Sequence, residues 1–152
     1  MSFVSSVFSE PNRMLNQSAE YALRAAARLS VLPPDGSMQA RELADALDVP
    51  ANYLSKVLHQ LAVAGVLESR RGRSGGFRLA RPAGEITLEA VVAPFEDVGR
   101  YRQCLLGKSV CSDSRPCAAH ARWKPVGRLM TSFLTRTTLA DVGQRPIRIS
   151  GR

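Results

Sequence analysis

The sequence predicts a mainly α-helical fold carrying one small β-wing, and three observations carry that prediction. Apolar residues recur at helical spacing in three consecutive segments between residues 18 and 65. Two short strand candidates follow at once, Val66–Arg70 and Gly76–Leu79, joined by RRGRSGG. A later segment places Trp123, Val126, Met130 and Phe133 in steps of three and four, the mark of another helix.

Taken in order, the first helix is expected from Ser18, a suitable N-cap, to Leu32, with Tyr21, Ala22, Ala25, Ala26 and Leu29 on one face. PPDG at 33–36 breaks it. Gln39–Leu47 makes a short second helix buried through Leu43, Ala44 and Leu47. Asp48-Val49 is a tight connection, and Pro50 suits the first position of a third helix. That helix carries the core stripe Leu54, Val57, Leu58 and Leu61 and ends near Gly65, which supplies a left-handed cap. Residues 86–95 form a fourth helix opening at Thr87. The chain thus divides into a flexible extension (1–13), a helical unit with its hairpin (14–97), a cysteine-bearing loop (98–117), a last helical region (118–142) and a basic flexible tail (143–152).

At 152 residues the chain suits one domain with a short appendage. Twenty-one Lys and Arg against thirteen Asp and Glu give +8, nearly all of it from arginine. Such a surface favours phosphate, anionic lipid or an acidic partner. No apolar run approaches the roughly 18 residues a spanning helix needs. The first thirteen residues make a poor signal peptide, and Met14 is an alternative start. These absences lead to the expectation of a cytoplasmic protein. No phosphate-cradling glycine loop or nucleophile–base pair is present, so an enzyme is not expected.

Two short helices joined by a tight turn and followed by a basic hairpin describe a winged helix-turn-helix, whose second helix enters the DNA major groove by its N-terminal end. Here that end supplies Asn52, Ser55 and Lys56 to base edges or phosphates, while Tyr53 packs or reaches the backbone. Arg70, Arg71, Arg73 and Arg78 on the hairpin suit phosphate contact or minor-groove insertion, around a turn that Gly72, Gly75 and Gly76 make tight. The expected partner is double-stranded DNA. His59 is given only a place on the helix surface.

The block from Ala19 to Arg24, the run LSKVLHQLAVAGVLESRRGRSGGFRLAR and the segment CLLGKSVCSDSRPCAAHARW resemble the Rrf2 family in its IscR-like and NsrR-like branches, over residues 14–142. The resemblance implies a homodimeric winged-helix transcription regulator that reads a pseudo-palindromic operator. It implies a long C-terminal dimerisation helix, with Trp123, Val126, Met130 and Phe133 as the seam. Pro125 falls within that helix, which therefore either kinks or starts near Lys124 and leaves His120 outside.

Three cysteines in fourteen residues, Cys104-x6-Cys111-x5-Cys117, read in a reducing compartment as metal ligation or redox chemistry. Thiolates are the preferred ligands of iron–sulfur clusters. The resemblance implies such a cluster and two alternatives for its fourth ligand. One is His120, three residues past the last cysteine; the other is Glu20, an acidic ligand that reaches from the first helix to the cysteines of the partner subunit. The first cysteine gap is six residues where both branches have five, so 2Fe–2S and 4Fe–4S both stay open. Structural zinc on a Cys3His set is an alternative, as is a thiol–disulfide switch. Arg102, Lys108 and Arg115 favour thiolates in each case. The expected function is a regulator, in repressor mode, whose operator binding responds to redox state, nitric oxide or iron–sulfur status. A cluster carrier that does not bind DNA would have no use for the arginine wing.

Overall fold

Asn16, rather than Ser18, starts the first helix. Its Oδ1 accepts from the Ala19 N–H at 2.9 Å and caps α1, Gln17–Ser30. The structure, a computed structural model, describes residues 14–107 and 111–143; the extension expected at 1–13 and the tail from residue 144 onward lie outside them. α1 ends at Ser30, two residues short of Leu32, with Val31 as its cap. Its inner face is nearly all alanine (Ala19, Ala22, Ala25 and Ala26 are fully buried), which lets several neighbours approach closely.

α2, Ala40–Leu47, is capped by Gln39, whose N–H donates to the Glu42 side chain at 2.9 Å. It closes at Asp48, held at φ 52°, a left-handed conformation that Asp tolerates better than most residues. The Asp48 and Val49 N–H groups turn back to the end of α2, and Arg24 of α1 holds the Leu47 carbonyl. α3, Ala51–Val63, follows with Pro50 as its N-cap, so the helix starts one residue later than expected. Leu54, Leu58 and Leu61 are completely buried against α1 and α2. Truncating one such leucine to alanine costs about 2–5 kcal/mol. Gly65, at φ 75°, closes the helix as the sequence predicts.

β1, Leu67–Arg70, pairs antiparallel with β2, Gly76–Leu79, in the register Leu67↔Leu79 and Arg70↔Gly76. Met38 adds a bridge on the far side of β2: its N–H donates to the Phe77 carbonyl at 3.0 Å and its carbonyl accepts from Phe77 at 2.7 Å. A β-carbon on Gly76 would collide with that Met38 carbonyl, so the docking of the wing onto the entry to α2 requires glycine.

The remaining elements are short. Thr87 caps α4 as expected, but α4 spans only Leu88–Val92, since Pro94 stops it before Phe95. Val98–Arg102 form a 3₁₀ helix where a loop is expected, nucleated by Asp97 accepting from Gly99 at 2.8 Å. α5, His120–Arg136, contains Pro125 and begins at His120, so His120 lies inside the helix. Pro125 offers no N–H to the Ala121 carbonyl four residues back. The region expected as one helix over 118–142 breaks at Thr137, and α6, Leu139–Gly143, takes in the first residue of the expected tail. Reciprocal bonds between Leu88 and Thr137 and between Leu139 and Ile86, both 2.9 Å, tie this corner to the start of α4.

Candidate cysteine centre and nucleic-acid interface

The exposed face of α3 is polar because its apolar stripe is spent on the core. Asn52, Ser55, Lys56, His59 and Gln60 are all exposed, and they repeat at i, i+3, i+4, i+7 and i+8, opposite Leu54 and Leu58. His59 and Gln60 extend the stripe that sequence reasoning ended at Lys56; the same helical period would have found them. Tyr53 has another task. Its hydroxyl lies 2.5 Å from Ser18 Oγ and its ring meets Tyr21 edge-on at 5.6 Å, fixing the start of α3 against α1.

On the wing, Arg70, Arg71 and Arg73 are exposed at the tip. Arg78 is tied down by two bonds to Glu68 across the strands, at 2.9 and 3.1 Å. The tip therefore offers three uncommitted guanidinium groups beside a polar helix face, an arrangement suited to anionic double helix.

The cysteine arm begins with the 3₁₀ helix, which is sewn to the start of α1. The Tyr101 hydroxyl and the Arg100 guanidinium both donate to the Met14 carbonyl at 3.1 Å, and Asn16 donates to Glu96 at 2.9 Å. Cys104 is buried directly after it, while Cys111 and Cys117 are partly exposed. No disulfide joins them. Cys104 Sγ lies 3.6 Å from Cys117 Sγ, and Cys111 Sγ lies 3.2 Å from His120 Nδ1. The His120 N–H reaches the Cys117 carbonyl at 3.0 Å, so the arm and α5 join at that residue.

Three thiols and an imidazole nitrogen are a donor set that suits an iron–sulfur cluster. They stand as two contacting pairs, and among the described residues no three donors converge as a ready metal cage. His120 is brought to a cysteine of its own chain, and Glu20 sits in the first turn of α1. Cys111 lines a groove of about 490 Å³ with Arg102, Lys124, Arg128 and Arg136. Arg115 is exposed in the arm, and Lys108 lies outside the described residues.

Sequence reasoning missed Asp113. Its Oδ1 lies 2.9 Å from His120 Nε2, and Lys124 grips the same carboxylate. The Lys124 ammonium, and after it His120, holds the Asp113 carboxyl below its ordinary pKa. No periodic signal marks a loop aspartate. Along α5, Val126 and Phe133 are exposed, Trp123 and Met130 are partly buried, and Leu129, absent from the expected seam, is 71% exposed. The Trp123 indole donates to the Gln103 carbonyl at 2.8 Å.

Residues 15–145 match the family model Rrf2, described as an iron-dependent transcriptional regulator. A protein of Aquifex aeolicus assigned as an HTH-type transcriptional regulator is 33% identical over 131 residues, covering 85% of this chain and 90% of that protein. IscR of Klebsiella pneumoniae is 26% identical over 140 residues, covering 91% and 85%. Among solved structures, CymR of B. subtilis superposes with a TM-score of 0.73 at 21% identity, covering 86% of this chain and 96% of that one. IscR of T. potens superposes at 0.67 with 21% identity, covering 86% and 85%. These relatives are transcriptional regulators rather than enzymes, the solved neighbours share the winged-helix fold, and no helix among the described residues is long and apolar enough to cross a membrane. The chain belongs to the Rrf2 family of transcriptional regulators.

Proposed function

We propose that this regulator binds a pseudo-palindromic DNA operator in the cytoplasm as a homodimer, and that an iron–sulfur cluster on the cysteine arm sets its affinity. The observation that carries the reading is the approach of Cys111 Sγ to His120 Nδ1 at 3.2 Å, in the same arm as the Cys104–Cys117 contact. Cys104, Cys111, Cys117 and His120 would hold the cluster, which when bound would supply a centre open to redox change and nitric oxide. This choice favours His120 over Glu20.

The protein's own residues provide the remaining parts. Asn52, Ser55 and Lys56 read the major groove; Arg70, Arg71 and Arg73 bind phosphates or enter the minor groove. Tyr53 sets the angle of α3, and Arg78 stiffens the wing through Glu68. Val126, Leu129 and Phe133, with Trp123 and Met130 at the edge, form the dimer seam. His120 joins the arm to α5, and Tyr101 joins the arm to α1. A change in the arm therefore bears on both the subunit contact and the helix that supports α3. Regulation requires the arm's two states to differ in DNA affinity.

Iron and acid-labile sulfide, with a visible spectrum, measured on anaerobically purified protein, test this reading. Matched iron and sulfide that disappear in a Cys111→Ala variant support it. Zinc without sulfide replaces it with a structural Cys3His site.

A second reading is favoured by the 3.6 Å contact between Cys104 and Cys117. There, a peroxide takes two electrons and two protons from the two thiols, leaving a disulfide, one water and one alcohol, or two waters where the oxidant is hydrogen peroxide. Non-reducing peptide mapping after peroxide treatment of metal-free protein separates the two, since only this reading requires a 104–117 cross-link.

A further inference from the structure

We propose that Asp113 is a positioning residue: it fixes the ring of His120 in one orientation and one tautomer, so that Nδ1 is the nitrogen offered to the cysteines. The inference rests on the cysteine-arm reading above for its purpose, and on geometry for its content. A neutral imidazole carries one N–H and one lone pair. Asp113 Oδ1 stands 2.9 Å from Nε2, and a carboxylate only accepts, so the proton belongs on Nε2. Nδ1 then keeps its lone pair, and it faces Cys111 Sγ at 3.2 Å.

The carboxylate is itself held. Lys124 follows His120 by one helical turn, so both side chains leave the same face of α5 and grip the same acid. On the loop side, Ser114 donates its N–H to Ser112 Oγ at 3.2 Å, and the two hydroxyls meet at 2.7 Å, closing a turn around Asp113. The alternative is an ordinary surface ion pair. Asp113 is 74% exposed, and such pairs add little stability. The buried partner distinguishes this group, because His120 is only 9% exposed and both its ring nitrogens already have partners. Ligating histidines usually donate their second nitrogen to a carboxylate in this way, and losing that partner typically costs about 10–100-fold in metal affinity.

The test is ¹⁵N NMR of the histidine rings in the full-length, reduced, metal-free protein, above the range in which imidazole is protonated. The chain has two histidines, and exposed His59 serves as the internal control. The expected result is a dominant Nε2–H tautomer for His120, a mixture of tautomers in Asp113→Ala, a return toward Nε2–H in Asp113→Glu, and no change at His59. A wild-type His120 protonated on Nδ1, or populations unmoved by Asp113→Ala, overturns the proposal. Iron and sulfide content of the wild type judges the cluster reading separately. With a cluster present, Asp113→Ala should lose iron to a chelator roughly tenfold or more faster. Unchanged loss also overturns the proposal.

Discussion

Gly127 of α5 lies directly against the carbonyl of Tyr101, with no room for a β-carbon between them. That packing presses α5 onto the 3₁₀ helix that leads into Cys104, while the Tyr101 hydroxyl holds the start of α1 at Met14. One residue of the arm thus touches both the helix proposed to pair subunits and the segment leading into α1, the helix that supports α3.

Replacing Gly127 with alanine should force these elements apart. Overpacking of this kind costs about 1–3 kcal/mol. Urea denaturation should show a lower midpoint at unchanged slope. An unchanged midpoint would mean that the arm yields without cost and cannot transmit a displacement.

Arg71→Ala with Arg73→Ala should weaken operator binding and lower the salt slope by about one for each phosphate left without its arginine. Asn52→Ala should act differently, costing about 1–3 kcal/mol at one base position while leaving the slope unchanged. Fluorescence anisotropy at several salt concentrations separates the two. Arg78→Ala should alter wing stability more than the salt slope, because Glu68 already holds that guanidinium.

Much of this was legible in the residues. The stripe Leu54, Val57, Leu58 and Leu61 located α3, and the glycine-rich turn located the wing, because both signals are local and periodic. What escaped depends on contacts between distant residues. Ser18 looked like a cap because nothing nearby revealed Tyr53, thirty-five positions on. The bridge between Met38 and Phe77 is a single residue pair, too short to leave a pattern. In the cysteine arm, residue types and spacing were plain, while the 3.2 Å approach of His120 to Cys111 became visible only in the fold. Asp113 matters only because α5 turns His120 and Lys124 toward it.

The stripe of Val126, Leu129 and Phe133 should carry self-association. Leu129→Lys with Phe133→Lys should weaken the dimer by well over tenfold, since charge in the centre of an apolar seam loses more than the roughly 1.4 kcal/mol that tenfold represents. Sedimentation velocity at several concentrations reads this. A wild-type monomer, or a variant that stays dimeric, contradicts the seam.

At the other end of the chain, Asp141 accepts from both the N–H and the hydroxyl of Thr138 at 2.8 Å, and these bonds hold its pKa below the ordinary 3.8. A carboxylate lowered in the folded state stabilises above its unfolded pKa, and that contribution disappears as pH falls through the lowered value. The contribution should therefore be complete at neutral pH and lost only below about pH 4. Asp141→Asn should remove the acid-dependent part. Thermal denaturation across this range, comparing the two proteins, should give curves that converge in acid.

The most direct test of the central claim is operator affinity measured on one preparation, with the cluster intact and after its removal under anaerobic conditions. The account predicts affinities that differ by at least about fivefold, the lower end of ordinary allosteric coupling, and no difference in a Cys111→Ala variant. Equal affinity in the two states of the wild type, with iron and sulfide verified in the first, would contradict it and leave a DNA-binding regulator whose cysteine arm does not govern its hold on the operator.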